Sequence, residues 1–532
     1  MKKFLYIPVI VAAGLWSAGC ADDIGNYDYT EINEVSVAVD DRSPEEGKTY
    51  NVVAFIDNID FDPQIKSSLG INDESAYEYE WRVMPLGAGW EEIDAEDITV
   101  CTTRRIDQPV TLSPGKYSAF FNVRDKATGV VWTTRFFLMV RSVTNEGWLI
   151  LSNVNDKCRL DIVYNRSETE DLLAHDIFQD VEMDLGKPER LIFNYDLRDQ
   201  ATLLVTDKNT YNLDQVDLHV GEENSLVWRF GVSPETVRVK ASAISKYGGR
   251  NLWAIIDEND DIYTIARSVD GAFFEFPLTR LNGKIPFKPA PFIGVNHYNY
   301  NDGCNPVIMY DSDHRQFIQI HNNSVYPSVM DFEGRHLFDN PTGRDMVHME
   351  SSKSGPVHSV LRDPSTGETY FYSIHLRGEY IEPDNWWEEG DYISYNEQAA
   401  YGKVIGPDVE NATMFAFHHQ WDYLFYAVGD KVYQFNLAAP DEPAIPVLSF
   451  PGETVKVLRF NPFVGWEAYA DWERARGYQL IVGTDVQGAP ADNCGKVRFY
   501  EVPNLMQPLK KLKEYDGFGS IVEVVYKERA KS

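Results

Sequence analysis

Along most of the chain, hydrophobic and polar residues alternate with a period of two, the pattern of half-buried strands. Beyond residue 147 the alternation is organised into a repeat. An apolar strand, a short polar turn and a second alternating strand recur seven times. They read WLILSNVNDKCRLDIV from 148, TLLVTDKNTYNL from 202, LWAIIDENDDIYTIA from 252 and PVIMYDSDHRQFIQI from 306. VHSVLRDPSTGETYFYSI from 357, YLFYAVGDKVYQFNL from 423 and YQLIVGTD with KVRFYEV from 478 complete the series. The steps between starts are 54, 50, 54, 51, 66 and 55 residues. A period of about 50 with four strands per unit predicts a β-propeller, one blade per repeat. Segments 236–244, 413–419 and 454–463 fall where an innermost strand A belongs, with the hairpin supplying B and C. Segments 273–278 and 446–450 fit the outer strand D. No A strand precedes the first hairpin, whereas GSIVEVVYKE at 519–528 is an A-type strand with no hairpin after it. The economical solution joins 521–526 to 148–163, closing a seven-bladed wheel and removing its open edges.

Upstream, residues 27–143 show short alternating strands separated by Pro, Gly and Asp: 35–39, 50–57, 77–85, 115–125 and 130–141. This spacing predicts an all-β sandwich, with Trp81 of YEYEW between its two sheets. The first twenty residues read MKKFLYIPVIVAAGLWSAGC. Lys2 and Lys3 precede an apolar run too short to span a bilayer, and small residues lead to Cys20. The segment resembles a bacterial lipoprotein signal, with Cys20 as the lipidated residue. It departs from that pattern in carrying Ser17 where Leu is usual, and an ordinary secretory leader is the alternative. Ala21-Asp22-Asp23 resembles the acidic tag that sends Bacteroidetes lipoproteins to the outer cell surface. The expected division is therefore 1–19 signal peptide, 20–26 linker, 27–143 sandwich and 144–532 propeller.

GNYDYTEINEV at 25–35, the YEYEW strand, NVRDKATGV at 122–130 and GWLILS at 147–152 together resemble the PKD-like lipoproteins of Bacteroidetes. Their order after a lipoprotein signal carries more weight than any one motif. The resemblance implies a PKD/immunoglobulin-like sandwich on a surface lipoprotein, held to the outer membrane by its lipid anchor alone. It also implies company: SusC/SusD-like importers that take up glycans or peptides. It supplies location and partners rather than chemistry.

Composition narrows the classes. Forty-three per cent apolar and 25% charged residues are globular proportions, which excludes a disordered chain or a coiled coil. A formal charge of −33 argues against nucleic acid and against a purely electrostatic hold on anionic lipid. Besides Cys20 there are Cys101, Cys158, Cys304 and Cys494, with no CxxC spacing and three possible pairings left open. No HExxH, P-loop, GxSxG or dinucleotide fingerprint occurs, so no catalytic set, cofactor or metal is expected. His418 and His419 are adjacent in an expected strand, where their rings point to opposite faces. With 82 acids, no carboxylate pair can be singled out for glycoside hydrolysis. The acids between B and C strands (257–261, 311–313, Asp363 and Asp430) read as turn formers, and no complete calcium-loop spacing appears.

Strand alternation assigns the loops to faces. In an antiparallel blade, A–B and C–D links emerge on one side, B–C turns and blade-to-blade links on the other. The A–B links carry Tyr247, Tyr298, Tyr300, Trp421, Trp466, Tyr469 and Trp472. An insertion at about 378–402 begins as a C–D link and brings Trp386 and Trp387 to the same face. Indole and phenol faces beside carboxylates and amides suit sugar rings, and equally peptide aromatics or a protein partner. The same residues have a plainer use, packing loop against blade. The leading expectation is a non-catalytic surface lipoprotein that captures a glycan or oligopeptide through Tyr298, Tyr300, Trp386, Trp387, Trp421, Trp466, Tyr469 and Trp472. A structural subunit of the importer, a propeller glycosidase or lyase, and a cofactor or iron-chelate binder stand as alternatives.

Overall fold

The computed structural model describes residues 33–38, 40–87, 89–194, 200–247, 250–266, 272–297, 306–321, 326–381, 384–385, 391–465, 468 and 470–529. They form two compact units, one from residues up to 139, the other from residue 140 onward together with 51–57 and 110–115. Both are built from strands, and the chain is all-β in class.

The first unit contains most of a five-stranded sheet in the order Thr49–Val53, Val131–Arg141, Gly115–Asp125, Tyr77–Leu86, Ile98–Cys101, whose strand-end residues at 51–53, 115 and 140–141 fall outside that unit. Asn58–Phe61 pairs with Ile106–Pro109, and Val35–Val37 with Ile65–Ser67. Trp81 is 2% exposed and fills the space between sheets, 4.3 Å from the Phe121 ring and stacked on Phe61 at 5.7 Å. Its indole N–H donates to the Thr103 carbonyl at 2.9 Å, so burial leaves no polar atom unmet. The strand expected over 50–57 ends at Val53, because Phe55 turns the backbone to a φ of 62°.

In the second unit the seven hairpins are the B and C strands of seven blades. The first blade is the composite one. Its order from the outside inward is Asp171–Ala174, Lys157–Asn165, Gly147–Val154 and Ser520–Lys527. The last strand pairs with the first hairpin from Gly147↔Lys527 to Asn153↔Ser520. Its Ile521, Val524, Val525 and Tyr526 are at most 4% exposed, each burial stabilising by roughly 1.5–3 kcal/mol. Blades six and seven run outward as Met414–Phe417, Tyr423–Val428, Lys431–Asn436, Ile445–Ser449 and as Glu453–Arg459, Gln479–Val486, Gly495–Glu501, Lys510–Phe518. Each blade is covered on both faces by its neighbours. That is why B strands such as Ala201–Thr206 and Val307–Asp311 are buried at every position instead of alternating.

Two expectations change. Residues 273–278 form no outer strand: Phe274 makes one isolated parallel bridge to Phe230 and is otherwise a buried plug, and Pro277 lacks a ladder N–H. The insertion is shorter than 378–402. Gly378–Ile381 pairs with Asp391–Ser394, and Asn396–Val404 is then the D strand of the fifth blade.

The innermost strands surround a cavity of 450 Å³ to which every blade contributes, through Arg190, Lys240, Ile293, His348, Met414, Lys456 and Glu523. Five of these strands carry a one-residue bulge near their start, as at Glu189, Lys240, Val347, Lys456 and Val522. A bulge adds twist to the bulged strand, here repeatedly on the innermost edge.

The acidic turns act as turn formers. Asp257 accepts from the amides of Asn259 (2.9 Å) and Asp261 (2.8 Å), Asp311 from Asp313 and His314 (both 3.0 Å), and Asp363 from Ser365 (2.8 Å) and Thr366 (3.0 Å). Among the described residues, Cys101, Cys158 and Cys494 are free thiols.

Candidate functional site

Two cavities of the second unit differ in chemistry. The central one is lined by strand edges whose charged groups are largely paired: Arg459 with Glu523 at 2.8 Å and His348 with Glu350 at 2.9 Å within the lining, and Lys240 with Asp260, outside it, at 2.6 Å. The other, of 710 Å³, is lined by links and strand ends of blades six, seven and one, and it is rich in aromatic rings.

Its construction starts at His418, just past the end of the sixth A strand rather than within it. The ring is 5% exposed, and its Nδ1 accepts from the backbone amides of Gln420 (3.1 Å) and Trp421 (2.9 Å). That acceptor role assigns the proton to Nε2. Burial pulls the imidazole down to about 4, so it is neutral at ordinary pH. The turn it holds swings Trp421 outward, where the indole N–H donates to the Val502 carbonyl at 3.3 Å. His419 points elsewhere, with Nδ1 donating to the Gly477 carbonyl at 2.7 Å.

The A–B link of blade seven contributes the short helix Asp471–Ala475, which carries Trp472, half-buried on the cavity wall. Arg476 follows, 5% exposed, with its guanidinium 4.0 Å from the Tyr526 ring and 3.4 Å from the Glu528 carboxylate. This pair ties the link to the closing strand. Burial pushes the Glu528 carboxyl above its usual range, while Arg476 opposes the shift. Across the cavity stand Trp148 and Phe499, 4.7 Å apart.

Of the eight aromatic residues expected to bind, Trp421 and Trp472 are brought to one cavity. Tyr298, Tyr300, Trp386, Trp387, Trp466 and Tyr469 lie outside the described residues, as do Cys20 and Cys304. Trp148, Tyr478 and Phe499 also line the cavity and escape a reading confined to links. Trp148 and Tyr478 open their hairpins, and a B strand begins on the face where A–B links emerge. Extending the face assignment to strand ends would have found them.

No curated protein matches the chain in sequence. Among solved structures, it is similar to a quinonprotein alcohol dehydrogenase-like protein from Bacteroides thetaiotaomicron. That match has 11% identity and a TM-score of 0.40, covering 93% of this chain and 99% of that one. It is also similar to the WD40 domain of SCAP from fission yeast, with 11% identity and a TM-score of 0.29, covering 62% of this chain and 74% of the other. Residues 20–185 match the PKD-like family, from Cys20 through the B, C and D strands of the first blade. The chain thus joins a PKD-like family domain to a β-propeller.

Proposed function

We propose that the protein is a non-catalytic lipoprotein of the outer cell surface, anchored through Cys20, that captures a glycan or oligopeptide for a SusC/SusD-like importer. One observation carries this reading: tryptophans from the A–B links of successive blades, Trp421 and Trp472, line a single cavity of 710 Å³. Ligand sites are concave, largely apolar and supplied with a few polar groups, and this cavity fits that description. The leader and the match of 20–185 to the PKD-like family support the location and the company.

Calorimetric titration of the mature chain with glycan and peptide panels tests it. At least one class binds, and Trp421→Ala or Trp472→Ala weakens binding by about tenfold or more. Stable association with the importer, without affinity for any free ligand, would instead identify a structural subunit.

A further inference from the structure

The geometry points to an uncharged saccharide as the occupant of the tryptophan-lined cavity, in preference to an acidic glycan or a peptide. This inference rests on the capture reading and gives it a substrate class.

The charges set into the wall are already engaged. Arg476 faces Glu528 at 3.4 Å and Lys513 holds Asp171 at 2.8 Å, whereas Lys510 and Glu501, 3.3 Å apart, form an exposed pair at the rim. A uronate, a sulfate ester or a peptide carboxylate reaching Arg476 or Lys513 would have to displace one of these partners. The remaining acid, Glu168, is exposed. Recognition of an ionic ligand calls for an unpaired counter-charge at the point of contact, because a desolvated charge without a partner is costly.

The unused groups on the wall are neutral. The side-chain amides of Gln420 and Gln479 and the Trp472 indole N–H have no hydrogen-bond partner among the described residues. Amides both donate and accept, and a hydroxyl needs both. Trp421 and Trp472 add flat apolar surface, which suits the C–H face of a pyranose ring. An extended peptide would look for an open strand edge to continue a ladder. The walls here are links and strand ends, and the adjacent Gly495–Glu501 strand is paired on both sides, to Gln479–Val486 and to Lys510–Phe518. Aromatic faces, free amides and engaged charges together describe a site for neutral polyols.

The test is a titration of the mature chain with three probe sets. The first is neutral: maltohexaose, cellohexaose, xylohexaose and mannohexaose. The second is acidic: oligogalacturonate and heparin-derived oligosaccharides. The third is peptidic: a tryptic digest of casein. Intrinsic tryptophan fluorescence and calorimetry report binding, and each positive is repeated at low and high salt. A neutral oligosaccharide is expected to bind with an affinity that salt leaves unchanged, because screening acts only on charge. Trp472→Ala should weaken it tenfold or more, and Gln479→Ala severalfold, with both variants keeping the wild-type melting temperature within a few degrees. Binding of acidic or peptidic probes alone, weakened by salt and lost in Trp472→Ala, overturns the inference while leaving capture intact. A neutral probe whose affinity ignores both substitutions overturns the placement. Failure of every probe to bind overturns the inference and the capture reading together.

Discussion

The wheel has two unlike halves. Blades one, five, six and seven have four strands each, and the fifth gains an extra parallel strand, Phe332–Glu333, beside its D strand. Among the described residues, blades two and three have three strands, and the fourth has a two-residue D strand, Ser328–Val329. The A segment of the fourth meets its hairpin only through isolated bridges, Pro289↔Asp311 and Gly294↔Ile308. In the irregular half, side chains replace ladders: Leu226, from the short 3-10 helix Leu226–Arg229, and Phe274, from a loop, are fully buried plugs. Strands B and C recur in every blade, whereas the strands flanking them can give way to irregular segments that bury apolar side chains. The tryptophan-lined cavity falls in the four-stranded half, where the start of a D strand, Lys510 to Lys513, walls it.

Four experiments press on that contrast. The largest effect is expected from deleting residues 519–532, which strips the inner strand from the first blade. The propeller should lose its cooperative unfolding transition by calorimetry, and an unchanged melting temperature would show that closure is dispensable. Next, Arg476→Ala leaves the Glu528 carboxylate buried and unpaired, at a cost of about 3 kcal/mol in denaturant titration. Phe276→Ser, on the outer edge of the irregular half and 47% exposed, should change stability by no more than about 0.5 kcal/mol. Equal losses for these two substitutions would erase the distinction between halves.

The third effect is one of pH. Lys527 is fully buried, with Nζ donating to the Asn145 carbonyl at 2.6 Å. Burial lowers its ammonium from the ordinary 10.5 to about 8. Between those values the unfolded chain holds more protons than the folded one, so this group's contribution to stability rises with pH across that window. Lys527→Met should flatten that slope relative to the wild type, and parallel stability–pH curves would refute the assignment. The smallest effect concerns exchange rates. Amides of Ile262–Ala266, an outermost strand, should exchange sooner than those of Lys431–Asn436, which is paired on both sides.

Much of the fold was legible in the sequence because B strands are covered on both faces and read as unbroken apolar runs. The inner strands at 239–247, 414–417 and 453–459 fell close to the segments expected for them. The outer edge was less legible. FFEFPL in the third blade carries a strand's hydrophobicity, yet Phe274 spends it as a plug while Phe273 and Phe276 stay 48% and 47% exposed. Periodicity cannot tell a buried plug from a paired strand. In the site, strand parity was enough to place Trp421 and Trp472 on one face. It could not supply the His418 turn, a local side-chain-to-backbone arrangement that periodicity does not encode, or the Arg476–Glu528 pair, which joins residues 52 positions apart.

The bond between Lys527 and Asn145 spans 382 positions. During synthesis, the first blade therefore waits with its inner edge unsatisfied while six others emerge. A contact of such separation has a large chain-closure entropy and slows the final step. Until then, Gly147–Val154 offers its backbone to any strand nearby, including one from another copy. Folding of this protein thus carries a built-in interval of vulnerability, and conditions that stall the carboxyl-terminal segment should favour domain-swapped or aggregated chains over properly closed ones.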